Sequence, residues 1–211
     1  SNYPAEVSSL PGVGGSMGGQ MALAWASRFP DRMRGTVAIA TAARLTSQGL
    51  AFDVVGRNAI LHDPNFADGD YYDRPRGPDV GLALARMIGH ITYLSRESMQ
   101  LKFEADRTAP RDVKTAFEKR FSVGSYLGYQ GDRFVERFDA GSYVALTVAM
   151  DLFDLGGTAG ELERTIGASP CRWLVMSYTS DWLFPSEQSR TIVDALVARG
   201  KIGRASCRER V

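Results

Sequence analysis

The sequence predicts an α/β fold, a mostly parallel sheet with an inserted helical lid, truncated at both ends. Three observations predict it. Apolar runs at 10–15, 36–40 and 171–178 (LPGVGG, TVAIA, CRWLVMSY) have the length and bounding residues of strands. The stretch between the second and third runs keeps a helical period for roughly a hundred residues. A glycine-flanked serine, Gly14-Gly15-Ser16-Met17-Gly18, stands where the first strand meets a helical pattern, the layout of a G-x-S-x-G nucleophile elbow.

Taken in order, the first strand is weakened by Pro11, which cannot donate a ladder hydrogen bond. At the elbow a sharp turn leaves the flanking positions no room for a Cβ, so Gly14 and Gly18 are expected to let strand and helix approach while Ser16 Oγ is pushed outward. A phosphate-cradling loop is the competing use of such glycines. It needs G-x-G-x-x-G, and after Gly12-Val13-Gly14 the third glycine position holds Met17. Met17, Met21 and Trp25 recur at i, i+4 and i+8, an apolar stripe read as core packing on a helix that Pro30 stops. Residues 36–40 read as a buried parallel strand.

From 46 the helical period takes over, with breaks at 63–79 and 104–112. The predicted helix 80–94 is apolar around most of its surface, yet Arg86, His90 and Tyr93 share one face. An arginine on a solvated face and a histidine in a core hydrogen bond are the ordinary explanations. A single polar stripe on an apolar helix is better explained by a cleft lined with donors, where Arg86 can fork onto a carboxylate. The third strand follows at 171–178, then Thr179-Ser180-Asp181, and Pro185 opens a helix to about 199. Asp181 therefore lies past a strand's C-terminal end, the edge where open α/β sheets place their sites; a turn or capping aspartate is the plain alternative. The expected organisation is one partial domain over 1–201, with core 1–45 and 168–201 and lid 46–167. Residues 202–211 (IGRASCRERV) resemble translated adapter sequence and are set aside as a non-native tail.

Composition narrows the function classes. A net charge of +1 over 211 residues carries no nucleic-acid or membrane-surface signature. With no long apolar span and no signal peptide, a cytoplasmic protein is expected. Cys171 and Cys207 make neither a disulfide framework nor a metal-ligand spacing, and no metal is expected. An activated serine needs a base, and the base an orienting carboxylate. In this architecture they follow in the order Ser, Asp, His, which Ser16 and Asp181 fit; His62 and His90 both precede Asp181, so the triad histidine is absent from this chain. An acyltransferase, a serine hydrolase and a non-catalytic α/β module remain open on the residues alone.

Five segments in order, GGSMGGQMALAWA, IATAARLTSQGLAF, GLALARMIGHITYLS, YLGYQGDRFVERFDAGSY and TSDWLFP, resemble the homoserine O-acetyltransferases of methionine biosynthesis, which have the α/β-hydrolase fold. The resemblance runs from about residue 14 to 201 and departs from the family at Pro11-Gly12. It implies Ser16 as acyl-accepting nucleophile, Asp181 as triad aspartate, the Met17 backbone N–H as an oxyanion donor, and Arg86 with Tyr93 as the pair that binds the acceptor's carboxylate. It also implies acetyl-CoA as co-substrate with no bound cofactor, L-homoserine as acceptor, and a homodimer formed through the lid. A succinyl donor and a serine acceptor are alternatives within the same chemistry.

Overall fold

The computed structural model describes residues 10–104, 120–200 and 204–207, the last four as backbone. The chain runs β1 (Leu10–Gly15), α1 (Met17–Arg28), β2 (Met33–Ile39), α2 (Ser47–Leu61), α3 (Asp79–Tyr93), α4 (Arg96–Phe103), α5 (Ser122–Val135), α6 (Ala140–Asp151), α7 (Ala159–Thr165), β3 (Arg172–Ser177), α8 (Ser186–Ala198) and β4 (Arg204–Cys207). It divides into two compact units, one ending at 46 and resuming at 150, the other spanning 47–149.

In the first unit all strand pairs are parallel and the order is β1-β2-β3-β4. The crossovers carrying α1 and α8 advance across the sheet in the same direction. Right-handed crossovers of that kind put both helices on one face. Their apolar sides accordingly share one core: Leu23 and Ala26 of α1, Ala38 of β2, Trp173 and Val175 of β3, Ile192 and Leu196 of α8. Residues 150–167, grouped with the helical insertion by their period, pack here too, because Leu162 and Ile166 at α7 are fully buried in that same core. Residues 204–207, set aside in the sequence, lie as β4 beside β3.

The expected stripe on α1 is corrected. Met21 and Trp25 are 58% and 49% exposed, whereas Gly19, Gln20, Ala22, Leu23 and Ala26 are buried. The period was right and the phase wrong: the face carrying Gly19, Ala22, Leu23 and Ala26 packs inward, and the bulky stripe is left outside. Trp25 instead packs on Phe29 with ring centroids 4.9 Å apart.

In the second unit α2, α3 and α5 meet around Ile60, Leu82, Ala85 and Phe134. The α2–α3 approach depends on Gly81, where a Cβ would overlap the Ala59 carbonyl. Because Pro78 offers α3 no side-chain cap, buried Asp63 supplies the acceptor: its Oδ2 takes the Gly81 N–H at 2.8 Å. The break at 63–79 matches a loop with one short 3-10 turn, Ala67–Gly69. The break expected at 104–112 lies almost wholly outside the described residues.

Candidate active site

Ser16 is the single residue between β1 and α1, and its backbone stands at φ 54°, ψ −126°. For a non-glycine residue this costs on the order of 1–3 kcal/mol and persists only where surroundings hold it. The holding groups are identifiable. The Ser16 N–H is shared between the carbonyls of Ile39 (2.9 Å) and Ala40 (3.2 Å), while its own carbonyl accepts from Gly19 N–H (2.9 Å), Gln20 N–H (3.2 Å) and the Thr41 hydroxyl (2.7 Å). Ala40 is itself at φ 44°, tied by its N–H to the Met176 carbonyl at 2.8 Å. The ends of β2 and β3 thus brace the turn.

The glycine argument is corrected in one part. A Cβ on Gly14 would overlap the Gly18 carbonyl, so Gly14 is required for strand and helix to meet. At Gly18 nothing among the described residues lies within 4 Å of an added Cβ. The second tight position is Gly19, whose Cβ would come within 2.6 Å of Thr41 Cβ and Cγ2.

Asp181 follows β3 at the same sheet edge. Parallel register puts Gly15, Ile39 and Met176 side by side, so the strands leading to Ser16 and Asp181 are separated only by β2, roughly 10 Å between their axes. Asp181 Oδ1 accepts the N–H groups of Leu183 (3.0 Å) and Phe184 (2.9 Å), and neither bond uses Oδ2. Burial pushes the carboxyl up, outweighing the lowering effect of those two N–H bonds. A half-buried carboxylate in this state gains from a cationic partner, the service an imidazolium would supply. Neither histidine belongs to this unit: His62 Nδ1 is 2.9 Å from the Asn58 carbonyl on α2, and His90 lies on α3.

In the second unit Arg86, His90 and Tyr93 share a face of α3, as spaced. The Arg86 guanidinium carbon stands 4.7 Å from the Phe134 ring centroid and 5.6 Å from that of Tyr93, and its Nε is buried without a hydrogen-bond partner among the described residues. A guanidinium held by ring faces keeps its N–H groups for another acceptor. His90 Nδ1 is bonded to the Tyr126 hydroxyl at 2.9 Å, and burial, then the charges of Arg86 and Arg137, hold its pKa down. Tyr143 faces the same cluster; burial, then Tyr93 and Asp53, push its phenol up to about 12 against the pull of Arg86 and Arg57. Thr41 and Phe134 were not singled out by any motif. Each acts through a contact made across the fold, 25 residues from Ser16 in the first case and on a different helix from Arg86 in the second.

A family model described as "alpha/beta hydrolase fold" matches residues 12–202, and the chain belongs to that family. Within it the sequence is homologous to the homoserine O-acyltransferases. It is 57% identical over 189 residues to a bifunctional methionine biosynthesis protein MetXA/MetW of Rhodopirellula baltica, covering 90% of this chain and 30% of that protein. It is 46% identical to a homoserine O-acetyltransferase of Zymomonas mobilis (89% and 51% covered) and 48% identical to a homoserine O-succinyltransferase of Acidithiobacillus ferrooxidans (87% and 48%). The chain thus spans at most about half the length of these curated relatives. In fold it resembles the crystal structure of a homoserine O-acetyltransferase from Bacillus anthracis, with TM-score 0.78 at 21% identity, over 95% of this chain and 53% of that one. No helix among the described residues is long and apolar enough to cross a membrane.

Proposed function

We propose that the protein containing this chain transfers an acetyl group from acetyl-CoA to the hydroxyl of L-homoserine through an acyl-serine intermediate. The observation that carries the reading is the strained, braced turn at Ser16 with a half-buried carboxylate at the same sheet edge, in a chain 46% identical to a homoserine O-acetyltransferase. Ser16 Oγ attacks the thioester carbonyl while its proton passes to a histidine base supplied from outside residues 1–211. The oxyanion forms at the Met17 N–H, and as the adduct collapses the C–S bond breaks while the base gives its proton to the leaving sulfur, so that CoA departs as a thiol and the base is free again. The homoserine hydroxyl then gives its proton to the base and attacks the acyl ester, and Ser16 takes the proton back. Asp181 holds the base in the correct tautomer through Oδ2.

Water competes for the acyl-enzyme, so a transferase must hold its acceptor in place. Arg86, with Tyr93 beside it, is the group for the acceptor's carboxylate: a guanidinium whose Nε is buried and whose carbon stands 4.7 Å from the Phe134 ring centroid has its planar fork preset for a bidentate pair. Losing such a contact costs about 2–5 kcal/mol, or roughly 30-fold to several thousandfold in the second half-reaction. In the full-length enzyme, Arg86→Lys and Arg86→Ala should lower kcat/KM for homoserine by that factor and leave the rate of Ser16 acetylation unchanged in stopped flow. Acetylation slowed equally would mean that Arg86 is structural.

A succinyl donor is the second reading, because the succinyltransferase relative is as similar as the acetyltransferase one. Single-turnover acylation with each CoA ester separates the two. A homodimer through the helical unit, with exposed Val80 and Leu84 of α3 available for contact, and a cytoplasmic location belong to the same proposal.

A further inference from the structure

The Ser16 carbonyl carries more donors than it needs. In a helix start it would take the N–H of Gln20, with Gly19 sharing, and both bonds are present at 3.2 and 2.9 Å. The Thr41 hydroxyl adds a third, and it is the shortest, 2.7 Å. Thr41 is 1% exposed, and its Cβ and Cγ2 press on Gly19 so closely that a methyl there would come within 2.6 Å. The bond satisfies the enclosed Thr41 hydroxyl, and because that side chain has no room to move it also fixes the direction of the carbonyl.

What it directs follows from peptide geometry. The Ser16 C=O and the Met17 N–H belong to one planar unit and point in opposite directions, so fixing the carbonyl fixes the N–H. Ser16 sits at a φ and ψ from which the backbone relaxes unless held. Its N–H side is held by the Ile39 and Ala40 carbonyls; its carbonyl side is held by α1, which turns with it, and by Thr41, which lies two residues past the end of β2 and does not.

We propose that Thr41 is a positioning residue for acylation: its hydroxyl locks the Ser16–Met17 peptide plane to β2 and so aims the Met17 N–H at the oxyanion. The proposal rests on the reading of Ser16 as the acylated residue. Thr41 touches no reacting atom, and its effect is confined to the steps that pass through a tetrahedral adduct.

The test uses full-length enzyme with Thr41→Val, which keeps the shape and removes the donor, and Thr41→Ser, which keeps the donor and removes the methyl. Four quantities are read: the acetylation rate in stopped flow, KM for acetyl-CoA, affinity for a boronic acid that mimics the tetrahedral adduct, and melting temperature. Removing one oxyanion donor outright costs about a hundred- to a thousandfold, so a misaimed donor should cost roughly ten- to a hundredfold. Thr41→Val is expected to lose that factor in both acetylation and boronate affinity, with KM and melting temperature unmoved, and Thr41→Ser to restore both. Normal acetylation in Thr41→Val overturns the proposal, as does a parallel loss in Thr41→Ser accompanied by a lower melting temperature, which is the mark of a packing role. Should Thr41→Val fail to fold, Thr41→Ala read against Thr41→Ser carries the same comparison. Ser16→Ala run alongside keeps the two claims apart: if it still transfers acetyl, the reading of Ser16 fails, whereas a dead Ser16→Ala beside a normal Thr41→Val removes only the role of Thr41.

Discussion

Single atoms decide whether the turn at Ser16 can exist, and the two glycines at positions 14 and 18 make opposite predictions. A methyl at residue 14 meets the Gly18 carbonyl, a backbone atom that cannot swing aside, whereas a methyl at residue 18 meets nothing within 4 Å among the described residues. In the full-length protein Gly14→Ala should therefore lower stability by about 1–3 kcal/mol or more, measured by urea unfolding, and slow acylation as the turn opens. Gly18→Ala should leave both near wild type. Equal effects at the two sites would contradict the contact geometry. The sequence pattern made Ser16 and Gly14 legible because a G-x-S-x-G turn is a local feature. It misassigned Gly18, since the tightness belongs to Gly19 and arises from Thr41, a neighbour brought by the parallel pairing of β1 with β2. Asp181 was legible for a similar reason: a carboxylate just past an apolar strand needs only the strand to be placed. How its two oxygens divide, Oδ1 on the backbone and Oδ2 uncommitted by those bonds, depends on the turn through Leu183 and Phe184.

At the scale of elements, α6 starts on a polar lock that spacing rules do not contain. Asp139 caps the helix through the Ser142 N–H at 2.6 Å, and the Tyr71 and Tyr72 hydroxyls donate to its two oxygens at 2.5 and 3.1 Å. The Tyr71 oxygen in turn accepts the Gly141 N–H at 2.7 Å. Partial burial raises the Asp139 pKa, but the bonds from Tyr71, Ser142 and Tyr72 together outweigh it and hold the carboxyl below its ordinary value. The same lock pushes the Tyr71 phenol well up, by burial first and then by its bond to Asp139. A carboxyl whose folded pKa is depressed contributes stability above its unfolded pKa, about 4, and loses it as pH falls through the folded value. Asp139→Asn keeps the cap and removes the charge. Thermal melts of the full-length protein should show wild type more stable than the variant at pH 6, the gap closing below about pH 4. A gap that persists into acid would assign the effect to shape and not to charge. The span of α3 and its Arg86, His90, Tyr93 face were legible from period. The phase of α1 was not, because Met21 and Trp25 satisfy the same 3.6 repeat as Leu23 and Ala26, and only packing against the sheet chooses between them.

For the whole molecule, the parallel sheet and the long helical stretch were readable, since strands of apolar residues separated by helical periods leave few other arrangements. The division of labour between segments was less so: residues 150–167 have helical spacing but bury Leu162 and Ile166 against the sheet. Ser16, Met17 and Asp181 belong to the sheet unit, Arg86 and Tyr93 to the helical one, and the proposed mechanism assigns the acyl donor's attack to the first and the acceptor's carboxylate to the second. All of it depends on Ser16 carrying the acyl group. The most direct measurement mixes full-length protein with acetyl-CoA in the absence of homoserine, quenches within one turnover, and maps the modified peptide by mass spectrometry, with Ser16→Ala in parallel. The account predicts one acetyl adduct on Ser16, discharged when homoserine is added, and none in Ser16→Ala. An adduct on another residue, or acetyl transfer by Ser16→Ala at near wild-type rate, would contradict it.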